Sequence, residues 1–112
     1  MPRANAIQVL KGTLDMMVLR VLVEEPRHGY GITRRLQEIS DDAFQVDEGS
    51  MYPALYRMEE RGLIEAEWFR TDNNRRARVY RLTDAGRARL ADETARWARF
   101  SDVVSKVMAP AR

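Results

Sequence analysis

The residues of this chain that could do chemistry are arginines. Between Arg70 and Arg89 there are seven (Arg70, Arg75, Arg76, Arg78, Arg81, Arg87 and Arg89) against two acids, Asp72 and Asp84, which leaves +5 in that stretch and −3 in the remainder. Guanidinium forks match phosphate oxygens and base edges, so the chemistry on offer is nucleic-acid contact. An arginine run is also what a solvated protein face looks like. Seventeen of the nineteen cations are Arg, with only Lys11 and Lys106 departing, so the choice of Arg at any one site carries no message. Position must decide. Catalysis has far less to work with: there is no cysteine and one histidine, His28, beside Gly29. The neighbouring acids Asp41-Asp42 and Glu59-Glu60 have no third group converging on them, and the glycines stand singly, without a phosphate-cradling loop. The sequence predicts no enzyme, no metal site and no cofactor.

The elements that position these arginines must fit into 112 residues, which is room for one domain. Apolar residues at 45% and charged residues at 32% allow an ordinary core beneath a charged surface. Without cysteine the fold must hold by packing, which suits a reducing compartment. No apolar run approaches a membrane span or a secretory signal, so the expectation is a cytoplasmic protein with no membrane partner.

From Thr13 to Glu24, Leu14, Met17, Val18, Val21 and Leu22 follow helical spacing, with Met16 and Leu19 adding a second apolar side. Ile7 and Leu10 continue the stripe backwards and predict a start near Asn5; Pro26 stops the helix. His28-Gly29-Tyr30-Gly31 reads as a turn into a second helix over 31–40, with Ile32, Leu36 and Ile39 inward and Arg34, Arg35, Gln37 and Glu38 outward. A third helix is predicted over 47–61, begun by Asp47-Glu48-Gly49-Ser50 and ended by Gly62. Its inner stripe is Met51, Leu55 and Met58. Pro53 stands later than the ideal first position, which predicts an irregular first turn or a later start.

After Gly62 the period becomes two. Ile64, Ala66 and Trp68 alternate with Glu65, Glu67 and Phe69, Thr71 to Asn74 supplies a turn, and Arg75 to Leu82 returns with Arg78, Tyr80 and Leu82 against Ala77, Val79 and Arg81. Thr83 then caps a last helix that runs to about Met108, before Pro110. Three helices, a hairpin and a long helix make a mainly α fold with a two-stranded β-wing: a winged helix-turn-helix over residues 1–82, continuous with a C-terminal helix over 83–112.

In a helix-turn-helix the second helix of the pair enters the major groove. Here that is the third helix, whose outward Ser50, Tyr52, Tyr56 and Arg57 are suited to phosphates or bases. Tyr52 and Tyr56 could instead pack against the hairpin, and Glu59 and Glu60 turn the C-terminal half of the helix away from phosphate. The hairpin adds Arg70, Arg75, Arg76 and Arg78. Phosphate contacts of this kind position a protein on DNA without encoding a sequence. Double-stranded DNA is the expected partner. The alternative is a winged-helix module that mediates protein contacts without DNA, since fold alone does not decide.

Three stretches, LVEEPRHGYGITRRL (22–36), EGSMYPALYRMEERGLIEAEW (48–68) and RRARVYRLTDAGRARL (75–90), resemble the PadR family of bacterial transcriptional regulators. Tyr52-Pro53, the Gly62-Leu63-Ile64 exit, Trp68 and the Tyr80-to-Thr83 run stepping into Gly86 are specific in combination. The resemblance implies a homodimeric winged-helix repressor on a palindrome-like promoter site, in the compact branch with a single C-terminal helix.

On that last helix Leu90, Thr94, Trp97, Ser101, Val104 and Met108 recur at spacings of four and three, and Phe100, Val103 and Val107 widen the stripe. Such a seam left in water would be an exposed apolar patch, so it is the expected dimer interface, with Leu90, Thr94, Trp97, Phe100, Ser101, Val104 and Met108 as contacts. Folding back on its own domain is the competing arrangement. In drug-sensing members that this chain is similar to, a tryptophan matching Trp97 lines a cavity at the dimer interface. The resemblance therefore makes Trp97 a candidate ligand residue for a small planar or aromatic effector. Arg20 and Glu93 are expected near that space, closing it as an ion pair.

Overall fold

A computed structural model of the chain describes the backbone of residues 7–8 and residues 12–111. The first helix, α1 (Leu14–Glu24), does not reach back to Asn5. Gly12 takes φ +91° and breaks the run before Thr13, and Ile7–Gln8 is a short strand, β1, not helix. Leu10 lies outside the described residues. β1 pairs in parallel with β3 (Phe44–Gln45).

Pro26 separates α1 from β2 (Arg27–His28), a two-residue strand that hairpin periodicity could not reveal. The second helix, α2 (Gly29–Ile39), starts two residues earlier than its spacing suggests, because His28 is its cap: Nδ1 accepts a hydrogen bond from the Gly31 amide at 2.9 Å. Ile32 and Leu36 are buried as expected, but Ile39 is 54% exposed. It is the last residue of the helix, and the chain departs through Asp41 and Asp42, both at positive φ.

The third helix, α3 (Glu48–Glu60), begins at an Asp47 cap whose carboxylate accepts from the Ser50 amide at 2.7 Å. Pro53 therefore sits inside the helix, where it has no N–H to give the Gly49 carbonyl. Met51, Ala54, Leu55 and Met58 are fully buried. Gly62, at φ +74°, turns the chain out into β4 (Ile64–Arg70), which pairs antiparallel with β5 (Arg76–Leu82) in the register Ile64↔Leu82, Ala66↔Tyr80, Trp68↔Arg78. The wing is three-stranded at its base, since β2 pairs with the other edge of β5 through Arg27↔Tyr80 and His28↔Val79. That third strand anchors a ribbon that two strands alone would leave marginal.

The core joins Val18, Leu19, Val21 and Leu22 of α1 to Ile32 and Leu36, to the α3 stripe, and to Ile64 and Tyr80 of the wing. The last helix, α4 (Asp84–Met108), is capped by Thr83, whose hydroxyl accepts from the Gly86 amide at 3.0 Å and lies 2.7 Å from the Gly62 carbonyl oxygen. Gly86 approaches so close that a Cβ there would lie 2.1 Å from the Leu63 carbonyl oxygen. Leu90 packs on the core, α4 lies against α1, and beyond Glu93 every residue of α4 is exposed.

Candidate nucleic-acid interface

α3 is held by its buried stripe, and the same helical period that buries Met51, Leu55 and Met58 turns Ser50, Tyr52, Tyr56 and Arg57 outward; all four are exposed. They are not equivalent. Tyr56 is 62% exposed, so most of its ring faces solvent. The Tyr52 ring lies on Gly29 at the start of α2, where an added Cβ would meet ring carbon Cε1 at 2.9 Å, and the side chain is also near enough to Tyr80 of β5 to act on its phenol. The residue as a whole is 46% exposed. Arg57 reaches back to α1, with Nη2 3.7 Å from the Asp15 carboxylate. Arg57 thus belongs to the α1 side of α3, away from the N-terminal half that carries Ser50.

The hairpin arginines divide in the same way. Arg70, Arg75 and Arg76 are exposed at the tip. Arg70 donates to the Asn74 side chain at 2.9 Å, and Asn74 adopts φ +60° to close the turn. Arg76 lies over the Trp68 indole, with Cζ 4.5 Å from the ring centroid. Arg78 is tied down: its Nη2 donates to Glu59 Oε2 of α3 at 2.5 Å, and its guanidinium lies within 6 Å of the rings of both Trp68 (5.8 Å) and Tyr80 (5.7 Å). It fastens the wing to α3 and is less available to an outside anion than its sequence position suggests. Burial holds the Tyr80 phenol above its ordinary pKa, with the Arg78 guanidinium pulling the other way. On the opposite wing face Arg81 is spent on Glu65 at 2.9 Å and Glu67 at 3.6 Å.

A second ionic cluster fixes the helix-turn-helix corner. Glu24 at the end of α1 accepts from Arg35 Nε and Nη2 of α2 at 2.8 and 2.9 Å and from Arg27 of β2 at 3.2 Å. The Arg35 hydrogen bonds hold the Glu24 carboxyl below its usual pKa, and Glu24 in turn raises that of Arg35. None of these cross-element pairs was foreseeable from spacing, because their partners come from different elements. Among the described residues no group of three His, Asp or Glu side chains could hold a metal, and no helix is long and apolar enough to cross a membrane.

The α4 seam is uncovered from Trp97 onward: Trp97 is 41% exposed, Phe100 62% and Met108 75%. Trp97 and Phe100 face each other with centroids 6.2 Å apart. With Glu93 and Arg96 they edge an open depression whose other wall is Gly12 and Thr13, just before α1, and Met16 on its first turn. The expected Arg20–Glu93 closure is absent there. Glu93 pairs with Arg89 one turn earlier on its own helix at 2.9 Å, and Arg20 lies toward Glu24 instead.

The Transcriptional regulator PadR-like family matches residues 18–92. A transcriptional regulator of Mycobacterium tuberculosis is 35% identical over 83 residues, 74% of either chain. A PadR family transcriptional regulator of Eggerthella lenta superposes with a TM-score of 0.78 at 32% identity, covering 90% of this chain and 86% of that one. A transcriptional regulator of Clostridium thermocellum has the same fold, with a TM-score of 0.82 at 24% identity over 88% and 96% of the two chains.

Proposed function

Because the chain belongs to the PadR-like family of transcriptional regulators, we propose that it is a cytoplasmic homodimeric repressor of a palindrome-like promoter site, released by a small planar or aromatic effector. PadR regulators bind DNA and are not enzymes. In this reading residues 1–82 form the DNA-binding unit and 83–112 the dimerisation helix. Ser50, Tyr52, Tyr56 and Arg57 of α3 meet the major groove, and Arg70, Arg75 and Arg76 meet the flanking backbone, with Arg78 holding wing and helix together.

The observation that carries the reading is the division of labour among the arginines. Arg78 and Arg81 are consumed by carboxylates, whereas Arg75 and Arg76 crown an exposed hairpin tip without an acidic partner in any described ion pair. Cations left at a tip that is braced to α3 suit an external polyanion. The exposed seam on α4 supports pairing of two copies, which would set two α3 helices ~34 Å apart, one turn of DNA. The depression beside Trp97 offers an aromatic plate to a flat effector.

The test is a mobility-shift titration on duplex DNA from upstream of the protein's own gene. Binding should fall steeply with salt, by about 0.9 in log–log slope for each phosphate neutralised. Arg75→Glu with Arg76→Glu should abolish it. Absence of salt-sensitive binding would instead favour a protein-interaction module.

A further inference from the structure

We infer that Trp68 is a positioning residue for DNA binding: its exposed indole is the rack that holds Arg76 in reach of the phosphate backbone. The inference rests on the DNA reading above and adds a residue to it. Trp68 occupies the inner row of the wing, Ile64-Ala66-Trp68-Arg70 paired with Leu82-Tyr80-Arg78-Arg76. At the base of that row Ile64 and Tyr80 are buried, 1% and 5% exposed, but at Trp68 the row has left the core and the indole is 56% exposed. A tryptophan there keeps more than half of its surface in water, so core packing alone does not account for it.

What it does touch is cationic. Arg76 lies over the ring at 4.5 Å and Arg78 at 5.8 Å, while Arg78 is itself fixed to Glu59 on α3. The sequence of contacts Glu59, Arg78, Trp68, Arg76 runs from the DNA-facing helix to the wing tip. An arginine on an exposed strand end has several rotatable bonds to immobilise before it can hold a phosphate, and that lost freedom weakens binding. Stacking on a ring that is anchored through Arg78 removes part of that cost beforehand. The stacked guanidinium keeps its N–H edge available, because a cation–π contact uses its face.

The experiment is a double-mutant cycle on duplex binding, read as affinity and as salt slope. Trp68→Leu keeps apolar bulk but has no ring quadrupole, and Trp68→Phe keeps a ring. Trp68→Leu is expected to weaken binding about two- to fivefold, the range of an exposed cation–π contact. It should also reduce the salt slope by up to about 0.9, as Arg76→Ala does. The double variant should be no weaker than Arg76→Ala alone, and Trp68→Phe should restore most of the loss. Additive losses, an unchanged slope in Trp68→Leu, or Phe no better than Leu would each overturn the proposal while leaving the DNA reading intact. Salt-insensitive binding by the unaltered protein would remove the DNA reading itself.

Discussion

Gly86→Ala should be the most damaging alanine substitution among the glycines of this chain. The added Cβ would stand 2.1 Å from the Leu63 carbonyl oxygen and 2.8 Å from Leu82 Cδ1. The leucine can rotate; the carbonyl cannot, because it accepts from the Thr83 amide at 3.2 Å and from the Thr83 hydroxyl at 3.0 Å. Relief therefore requires the first turn of α4 to move off the wing, which strains the packing by about 1 to 3 kcal/mol and loosens a helix cap worth about 1 kcal/mol. The sum is roughly 2 to 4 kcal/mol, a large share of the stability of a domain this size. Urea unfolding at a fixed protein concentration measures it, as a lower midpoint with an unchanged slope. Gly62→Ala is the comparison, since Gly62 has open space around it and φ +74°, so only the left-handed backbone is penalised, at about 1 kcal/mol. A Gly86→Ala protein no less stable than Gly62→Ala would refute the close-approach argument.

Three further outcomes are expected. Trp97→Ala should weaken self-association by about thirtyfold, the effect of truncating an interface anchor worth about 2 kcal/mol, and an unchanged sedimentation profile would take Trp97 out of the seam. Asp15→Asn frees Arg57 from its carboxylate, so DNA affinity should rise by up to about fivefold, the worth of an exposed pair; a fall would show that Arg57 works from its place against α1. Glu24 has its pKa lowered from 4.5 by Arg35, so its stabilising contribution is present above that value and is lost as pH falls through the lower folded one. Melting temperatures of Glu24→Gln and the unaltered protein should differ at neutral pH and converge in acid, and a constant gap would exclude the linkage.

The resemblance carried by 22–36, 48–68 and 75–90 and the order of the four helices and the β4–β5 hairpin were legible in the residues, because each rests on local signals: a helical stripe, a cap, a glycine exit, a change of period. Asp47, Thr83 and Gly62 act where their residue types predicted. Helix starts were less legible. The apolar stripe through Ile7 and Leu10 implied helix, but one glycine at positive φ ends the helical run at position 12, and periodicity is blind to a single φ. The third strand at 27–28 was hidden because two residues have no period.

For the site, exposure could be read from the sequence and employment could not. The stripe of α3 already separated outward from inward side chains, since it follows from backbone geometry alone. Which arginines remain unclaimed is a matter of partners brought from elsewhere in the chain: Glu59 takes Arg78 across 19 residues, Asp15 meets Arg57 across two helices, and the Trp68 ring gathers Arg76. Charge attraction acts through space, over a few ångströms, and only the packing of α1, α3 and the wing sets those distances.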